Sequence, residues 1–260
     1  MGNATIQGEL WGARAEDWAE IQESVFYQAY EAVLDSINVR PGIKILDVGC
    51  GSGLFCSMAA ERGANVTGID AAEALIAIAN QRLSQGDFRV GEMETLPYAD
   101  NSFDVVTGLN SFQYAENPVN ALNEARRVAK NESSVVVMVW GKAEDCDAAD
   151  HLMALGPLLP PPPPGAAGPF ALSEEAALKA FVSQANLTPL RIEDADDLWA
   201  YPDFDTAMRG MLSSGPVIKA IQHSGENSVW ESVSESIASF KTPAGGYELK
   251  NKFRFLTATV

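Results

Sequence analysis

Three residue types are scarce in this chain of 260 residues, and each scarcity excludes something. There are three cysteines, Cys50, Cys56 and Cys146. An odd number without a pairing pattern argues against a disulfide framework and for a reducing, cytoplasmic setting. There are two histidines, His151 and His223, and no Cys/His cluster with the spacing of metal ligands, so no metal is expected. Basic residues number 18 against 35 acidic ones, a formal net charge of −17. Such a surface repels phosphate backbones, which makes nucleic acid a poor partner and a small molecule a better one. The acidic excess is spread along the chain instead of forming a tail, the pattern of a solvated surface. No apolar run is long enough to span a bilayer, so no membrane partner is expected. The first residues lack the basic start and apolar stretch of a signal peptide. Nothing in the sequence addresses the oligomeric state.

Aliphatic and aromatic residues make up 47% of the chain, enough for an ordinary core. Apolar positions at Trp18, Ile21, Val25, Ala29, Val33 and Ile37 predict one amphipathic helix over 15–37. From residue 43 short β-rich runs alternate with helical stretches. Strands are expected at 43–48, 65–69, 88–90, 103–109 and 134–140, and helices at 54–62, 72–83 and 118–129. This alternation predicts a parallel sheet with helices on both faces. The regularity breaks at 143–170, an acidic stretch followed by the stiff run Pro160–Pro164. A helix to about Asn186 and a strand at 188–192 come next. Residues 196–246 read as helical and polar, and a last strand falls near 253–259. The expected organisation is an N-terminal cap helix (1–40), a core (41–142), a lid or linker insertion (143–170), a core continuation (171–195), a helical substrate cap (196–246) and a final core strand (247–260). Ligands of such sheets sit outside the carboxyl ends of the parallel strands. If the sixth strand runs parallel to the others, both insertions lie on that face.

The strongest chemical signal is the run Asp47-Val48-Gly49-Cys50-Gly51-Ser52-Gly53. Glycine allows a tight turn and a close backbone approach to a ligand. The helix that follows offers free N–H groups. Asp70 ends the next strand, about 20 residues on, where a carboxylate suits the two hydroxyls of a ribose. The dinucleotide fingerprint G-x-G-x-x-G does not fit, because Leu54 stands where its third glycine belongs. The G-K-[ST] of a phosphate loop is absent.

The loop resembles the nucleoside loop of class I S-adenosylmethionine (SAM)-dependent methyltransferases, and the chain resembles the small-molecule branch that includes the ubiquinone/menaquinone-biosynthesis C-methyltransferases. Residues 45–53 look like that family's first motif, and 66–70 its second. The stretch Phe88–Pro97 resembles the adenine-flanking segment, although the family often has Asp at the position of Glu92. Residues 101–106 and 125–128, with the apolar run after them, also match. The resemblance implies a doubly wound, Rossmann-like α/β sheet of seven strands whose last strand is antiparallel, with helical cap insertions. It implies SAM as cofactor, held by Asp47, Gly49, Cys50, Gly51, Gly53, Asp70, Ala71, Glu92, Met93 and Asn110. Trp18, Gln22 or Tyr27 of the N-terminal segment would touch it, Trp18 foremost. The implied reaction is methyl transfer to O, C or N of a small, partly apolar molecule. Rival readings are a SAM-binding cyclase or decarboxylase on the same fold, a non-catalytic SAM-binding protein, and a nicotinamide dehydrogenase, which Leu54 disfavours. His223, in the second insertion, is the expected general base if one is used; His151 is a weaker candidate. Phe170, Trp199, Tyr201 and Trp230 are expected to line an apolar pocket.

Overall fold

The computed structural model describes residues 2–162 and 168–260. Pro163 and Pro164, part of the proline run noted above, lie outside the described residues.

The chain opens with a helix absent from the sequence reading, α1 (Ala4–Gly12). The expected helix over 15–37 is helical but not uniform. A short α2 (Ala15–Asp17) passes into a π-helical turn at Trp18–Gln22 and a 3-10 turn at Glu23–Phe26 before α3 (Tyr27–Ser36). The irregular turns rotate the apolar face in mid-course. One consequence is that the Glu23 carboxylate is buried, at 2% exposure.

Parallel strands then alternate with helices. β1 (Lys44–Val48) leads to α4 (Leu54–Glu61), β2 (Asn65–Asp70) to α5 (Glu73–Arg82), and β3 (Asp87–Val90) to β4 (Phe103–Leu109). Next come α6 (Pro118–Val128) and β5 (Ala129–Trp140). Local chemistry starts α6: Pro118 occupies its first turn, where a missing N–H costs nothing. Asn117 caps it, its side chain accepting from the Val119 and Asn120 N–H groups at 3.1 and 3.3 Å.

The first insertion carries α7 (Ala148–Leu155), and α8 (Glu175–Ser183) precedes β6 (Thr188–Tyr201). The second insertion holds α9 (Phe204–Met211), α10 (Gly215–Ser224) and α11 (Glu226–Ile237), and β7 (Tyr247–Thr259) closes the chain. β6 runs well past Ile192, through a stretch expected to be helical. Its acids explain this. Asp194 stands opposite Arg254 and Asp196 opposite Lys252 across the β6–β7 ladder. The guanidinium of Arg254 grips both Asp194 oxygens at 2.7 and 2.8 Å. Cross-strand charge pairs thus hold as a strand what reads as a polar run.

The sheet order is β3-β2-β1-β4-β5-β7-β6. β7 is antiparallel to both neighbours, so the last strand is reversed as expected and β6 runs in the direction of β5. Both insertions therefore leave the same edge of the sheet. Alternate residues of the central strands feed two cores. Val136 and Met138 of β5 join Phe253 and Phe255 under the N-terminal segment and α4, whereas Val135, Val137 and Val139 pack with Leu122, Leu178 and Leu256. Burial on both faces is what a doubly wound sheet requires. The strand order reverses between β1 and β4, and the crevice outside their carboxyl ends is the switch point where such sheets bind ligands.

Candidate functional site

At that switch point lies a cleft open to solvent, of about 800 Å³ when its open mouth is counted. Its floor is the glycine loop. Gly49, Gly51 and Gly53 have φ of +79, +55 and +81°, conformations that side chains disfavour. The loop is tied to the end of β2. The Gly49 and Cys50 N–H groups donate to the Ile69 carbonyl at 2.7 and 3.1 Å, and the Gly51 N–H donates to the Asp70 carboxylate at 3.0 Å. The other Asp70 oxygen accepts from the Ala72 N–H at 2.8 Å, ahead of α5. Burial raises the carboxyl of Asp70, while the N–H groups of Ala72, Gly51 and Ala71 oppose the rise. Asp47 is buried at the end of β1, accepts from the Thr107 hydroxyl at 2.6 Å, and is pushed up to about 7 by its burial. Burial also pushes the Cys50 thiol well above its ordinary range, which suits a loop residue and not a nucleophile.

Asp47, Gly49, Cys50, Gly51, Asp70, Ala71, Met93, Asn110 and Trp18 all line this cleft. Asn110 adopts φ +58° directly after β4, and the hydroxyl of the next residue, Ser111, donates to the Val48 carbonyl. Glu92 lines an adjoining recess with Ala71 and Met93. Its carboxylate accepts from the Ala4 N–H at 3.1 Å and the Glu94 N–H at 3.0 Å, so it anchors the start of α1.

Other expectations are corrected. Gly53 stands at the start of α4, where a Cβ would lie 3.0 Å from that of Ala79. It serves helix packing and stays out of the cleft. His223 is exposed at the end of α10, its Nδ1 facing the Leu158 carbonyl at 3.2 Å and the Ser224 hydroxyl at 3.1 Å. Gly215, at the other end of α10, touches Trp11 of the cleft wall. His223, at the far end of the helix, is not among the residues that line the cleft. His151 is buried in α7, its Nδ1 without a partner among the described residues. Gln22 is spent on the Tyr201 hydroxyl at 2.9 Å, and Tyr27 is exposed. Trp199 and Tyr201 pack in the core, while Trp230 edges onto Phe204 at the surface.

The cleft is closed by residues that the sequence reading missed. Gln7 and Trp11 come from α1, Glu23, Phe26 and Tyr30 from the segment that follows, and Leu75 from α5. Trp11 meets Trp18 edge-on at 5.0 Å and Tyr114 at 5.4 Å. The helix-breaking Gly12 and the weak periodicity of 4–12 left no signal for α1. The buried Trp18 Nε1 has no hydrogen-bond partner among the described residues. The arrangement offers positive-φ backbone at the foot of the cleft, carboxylates along one side and aromatic rings above. That suits a ligand with a ribose, a flat ring and a polar tail. Among the described residues there is no cluster that could hold a metal ion.

Comparison with known proteins agrees with this geometry. Residues 46–137 match the model of the methyltransferase domain family. The chain is 34% identical over 105 residues to a demethylmenaquinone methyltransferase of Renibacterium salmoninarum, an overlap of 40% of this chain and 44% of the relative. It is 40% identical over 105 residues to a ubiquinone biosynthesis O-methyltransferase of Hahella chejuensis, covering 37% and 44%. The match thus spans under half the length of these curated relatives. Among solved structures, a [4+2]-cyclase shares the fold with a TM-score of 0.57 and 20% identity, over 89% of this chain and 80% of that one. Over residues 46–137 the chain thus resembles the methyltransferase domain family, and the sheet that holds this stretch has the fold of the solved neighbours.

Proposed function

We propose that the chain is a SAM-dependent methyltransferase acting on O, C or N of a small, partly apolar molecule. The observation that carries this reading is the glycine loop. Its positive-φ backbone opens into one cleft with Asp70, Met93 and Asn110, and the matching family domain covers it. The residues present fit the cofactor. Asp70 keeps lone pairs free for ribose hydroxyls beyond the two N–H groups it already accepts. Met93 and Leu75 offer apolar contact to an adenine ring. Gly51 leaves room that a side chain would fill, and the Trp18 Nε1, without a partner among the described residues, can donate. SAM, when bound, supplies a methyl group activated by its sulfonium. The chain's own task is then alignment and exclusion of water, for which the aromatic lid of Trp11, Trp18, Phe26 and Tyr114 is suited.

No side-chain base is assigned, since His223 stands off the cleft. The net charge of −17 supports a substrate other than nucleic acid. Three buried free thiols, Cys50, Cys56 and Cys146, support a cytoplasmic location. Among the described residues no helix is long and apolar enough to cross a membrane.

The test is calorimetric titration with SAM, followed by incubation with candidate phenols, amines and acidic carbon compounds and assay for S-adenosylhomocysteine. Absence of SAM binding would sink the reading. The fold shared with a [4+2]-cyclase motivates a second reading, a reaction in which SAM is held but not consumed. Substrate turnover without S-adenosylhomocysteine would select it.

A further inference from the structure

A second feature of the cleft joins three parts of the chain at one buried carboxylate. Glu23, in the 3-10 turn of the N-terminal segment, is 2% exposed, and Ser52, in the middle of the glycine loop, is wholly buried. One Glu23 oxygen accepts from the Ser52 N–H at 2.9 Å; the other accepts from the Ser52 hydroxyl and from the Arg82 guanidinium. Arg82, at the end of α5, also donates to the Ser52 carbonyl at 2.9 Å and, through its second nitrogen, to the Ala19 carbonyl at 3.1 Å. One guanidinium therefore grips the N-terminal segment twice and the glycine loop through Ser52. The loop residue held this way lies between Gly51 and Gly53, two of the three positive-φ positions. On the same segment, the Trp18 Nε1 lies 3.4 Å from where a Cβ on Gly51 would stand, buried and without a partner among the described residues.

We propose that Glu23 and Arg82 form a latch that couples docking of the N-terminal segment to the ligand-ready shape of the glycine loop. Glu23 and Arg82 act as positioning residues. With the latch closed, Ser52 is held from both sides and the Trp18 N–H is delivered over the loop. With it open, the segment loses four hydrogen bonds, two from Ser52 of the loop to Glu23 and two from Arg82 of α5 to Glu23 and Ala19, and the cleft loses one wall. Glu23 is 2% exposed and Arg82 23%, so removing Arg82 leaves a buried carboxylate without its counter-charge, and removing the Glu23 charge releases Arg82 from the segment. Both groups thus report on the same event. The effect on ligand affinity rests on the reading that the cleft binds SAM; the coupling between segment and loop does not.

The test uses the full chain and three variants, Glu23→Gln, Arg82→Met and Arg82→Lys. In the ligand-free protein, hydrogen exchange should rise together in residues 15–36 and 49–53 for Glu23→Gln and Arg82→Met, with Arg82→Lys closer to the parent. Titration with S-adenosylhomocysteine should show affinity at least tenfold lower in the first two variants and partly recovered in Arg82→Lys. The double variant Glu23→Gln/Arg82→Met should bind no worse than the weaker single one. Exchange that rises in the segment but not in the loop overturns the latch. So does unchanged exchange, or parental affinity in both single variants. If Arg82→Met does not fold, the isosteric Glu23→Gln carries the same comparison. A parent that does not bind S-adenosylhomocysteine defeats the proposed function, and the exchange measurement still decides the latch.

Discussion

Asp70 illustrates how much one side chain does at this site. Its two oxygens accept from Gly51 and Ala72 at 3.0 and 2.8 Å, which ties the glycine loop to the start of α5. In the proposed reading it also accepts from the ribose. Asp70→Ala should weaken SAM binding by about 1–3 kcal/mol, the usual cost of losing hydrogen bonds at a buried site; unchanged affinity in calorimetry would remove the ribose assignment. Gly51 is the complementary case. At φ +55° a Cβ would lie 2.8 Å from the Glu23 carboxylate and 3.4 Å from the Trp18 indole nitrogen. Gly51→Val should abolish SAM binding, both by backbone strain and by pushing on the segment that roofs the cleft. A variant that binds like the parent would show that the loop does not meet the ligand. Both residues stood out in the sequence, because glycine and a strand-end acid at this spacing are local signals. Glu23 did not. It looks like any other acid of a charged helix until the π-helical turn before it rotates it inward.

At the scale of elements, the N-terminal segment decides whether the sheet edge becomes an enclosed site. α1 lies on the chain at Ala71. A Cβ on Gly8 would collide with the Ala71 carbonyl, with the carbonyl carbon 3.0 Å away. Gly8→Val should lift α1 from the cleft. Limited proteolysis within residues 2–13 should then become several-fold faster while the melting temperature changes little; equal cleavage rates would mean that α1 does not depend on this contact. On the other side of the sheet, Asn117→Ala removes the cap of α6 and should cost about 1 kcal/mol in chemical denaturation. The helices and strands of 44–140 could be read with errors of a few residues, since their apolar patterns are strong and their breakers well placed. The exceptions have a common cause. α1 is short and weakly amphipathic, and β6 beyond Ile192 carries acids whose partners, Lys252 and Arg254, are distant in the chain. Neither has a local signature.

For the molecule as a whole, the buried titratable groups give stability a pH dependence. Asp47 and Asp197 are pushed up to about 7, above the roughly 3.9 of an unfolded Asp, in both cases mainly by burial. Asp197, at 4% exposure on β6, has no well-formed hydrogen bond to its oxygens among the described residues. The nearby N–H groups of Leu198, Gln28 and Trp199 oppose the shift without cancelling it. Between those pKa values the folded chain holds protons that the unfolded chain has lost. These two groups therefore favour folding at low pH, and that contribution disappears as pH rises through about 7. Burial drives His151 the other way, to about 4 from an unfolded value near 6.5. Its contribution is complete above the unfolded value and falls away as pH drops through that window. Between pH 6.5 and 8 the carboxyls dominate, so the melting temperature should fall across that window. Asp197→Asn should flatten this fall, worth about 1–4 kcal/mol at pH 8 from a shift of this size. An unchanged slope in calorimetric scans would show that Asp197 titrates normally in the folded state.

The sequence by itself determined the parts of this protein that are made by neighbours in the chain. These are the glycine loop, the acid at the end of β2, the alternation of strands with helices, and the surface charge. Their signals lie within a few residues of one another, in turn chemistry and hydrophobic periodicity. Only the tertiary structure decided what closes the cleft and what stays out of it. Trp11, Glu23 and Tyr30 enter because the N-terminal segment folds back across the loop; His223 is not among the lining residues and faces the Leu158 carbonyl instead. Those outcomes depend on contacts between residues 29 to more than 200 positions apart, and no local pattern encodes which of many distant partners a side chain will meet.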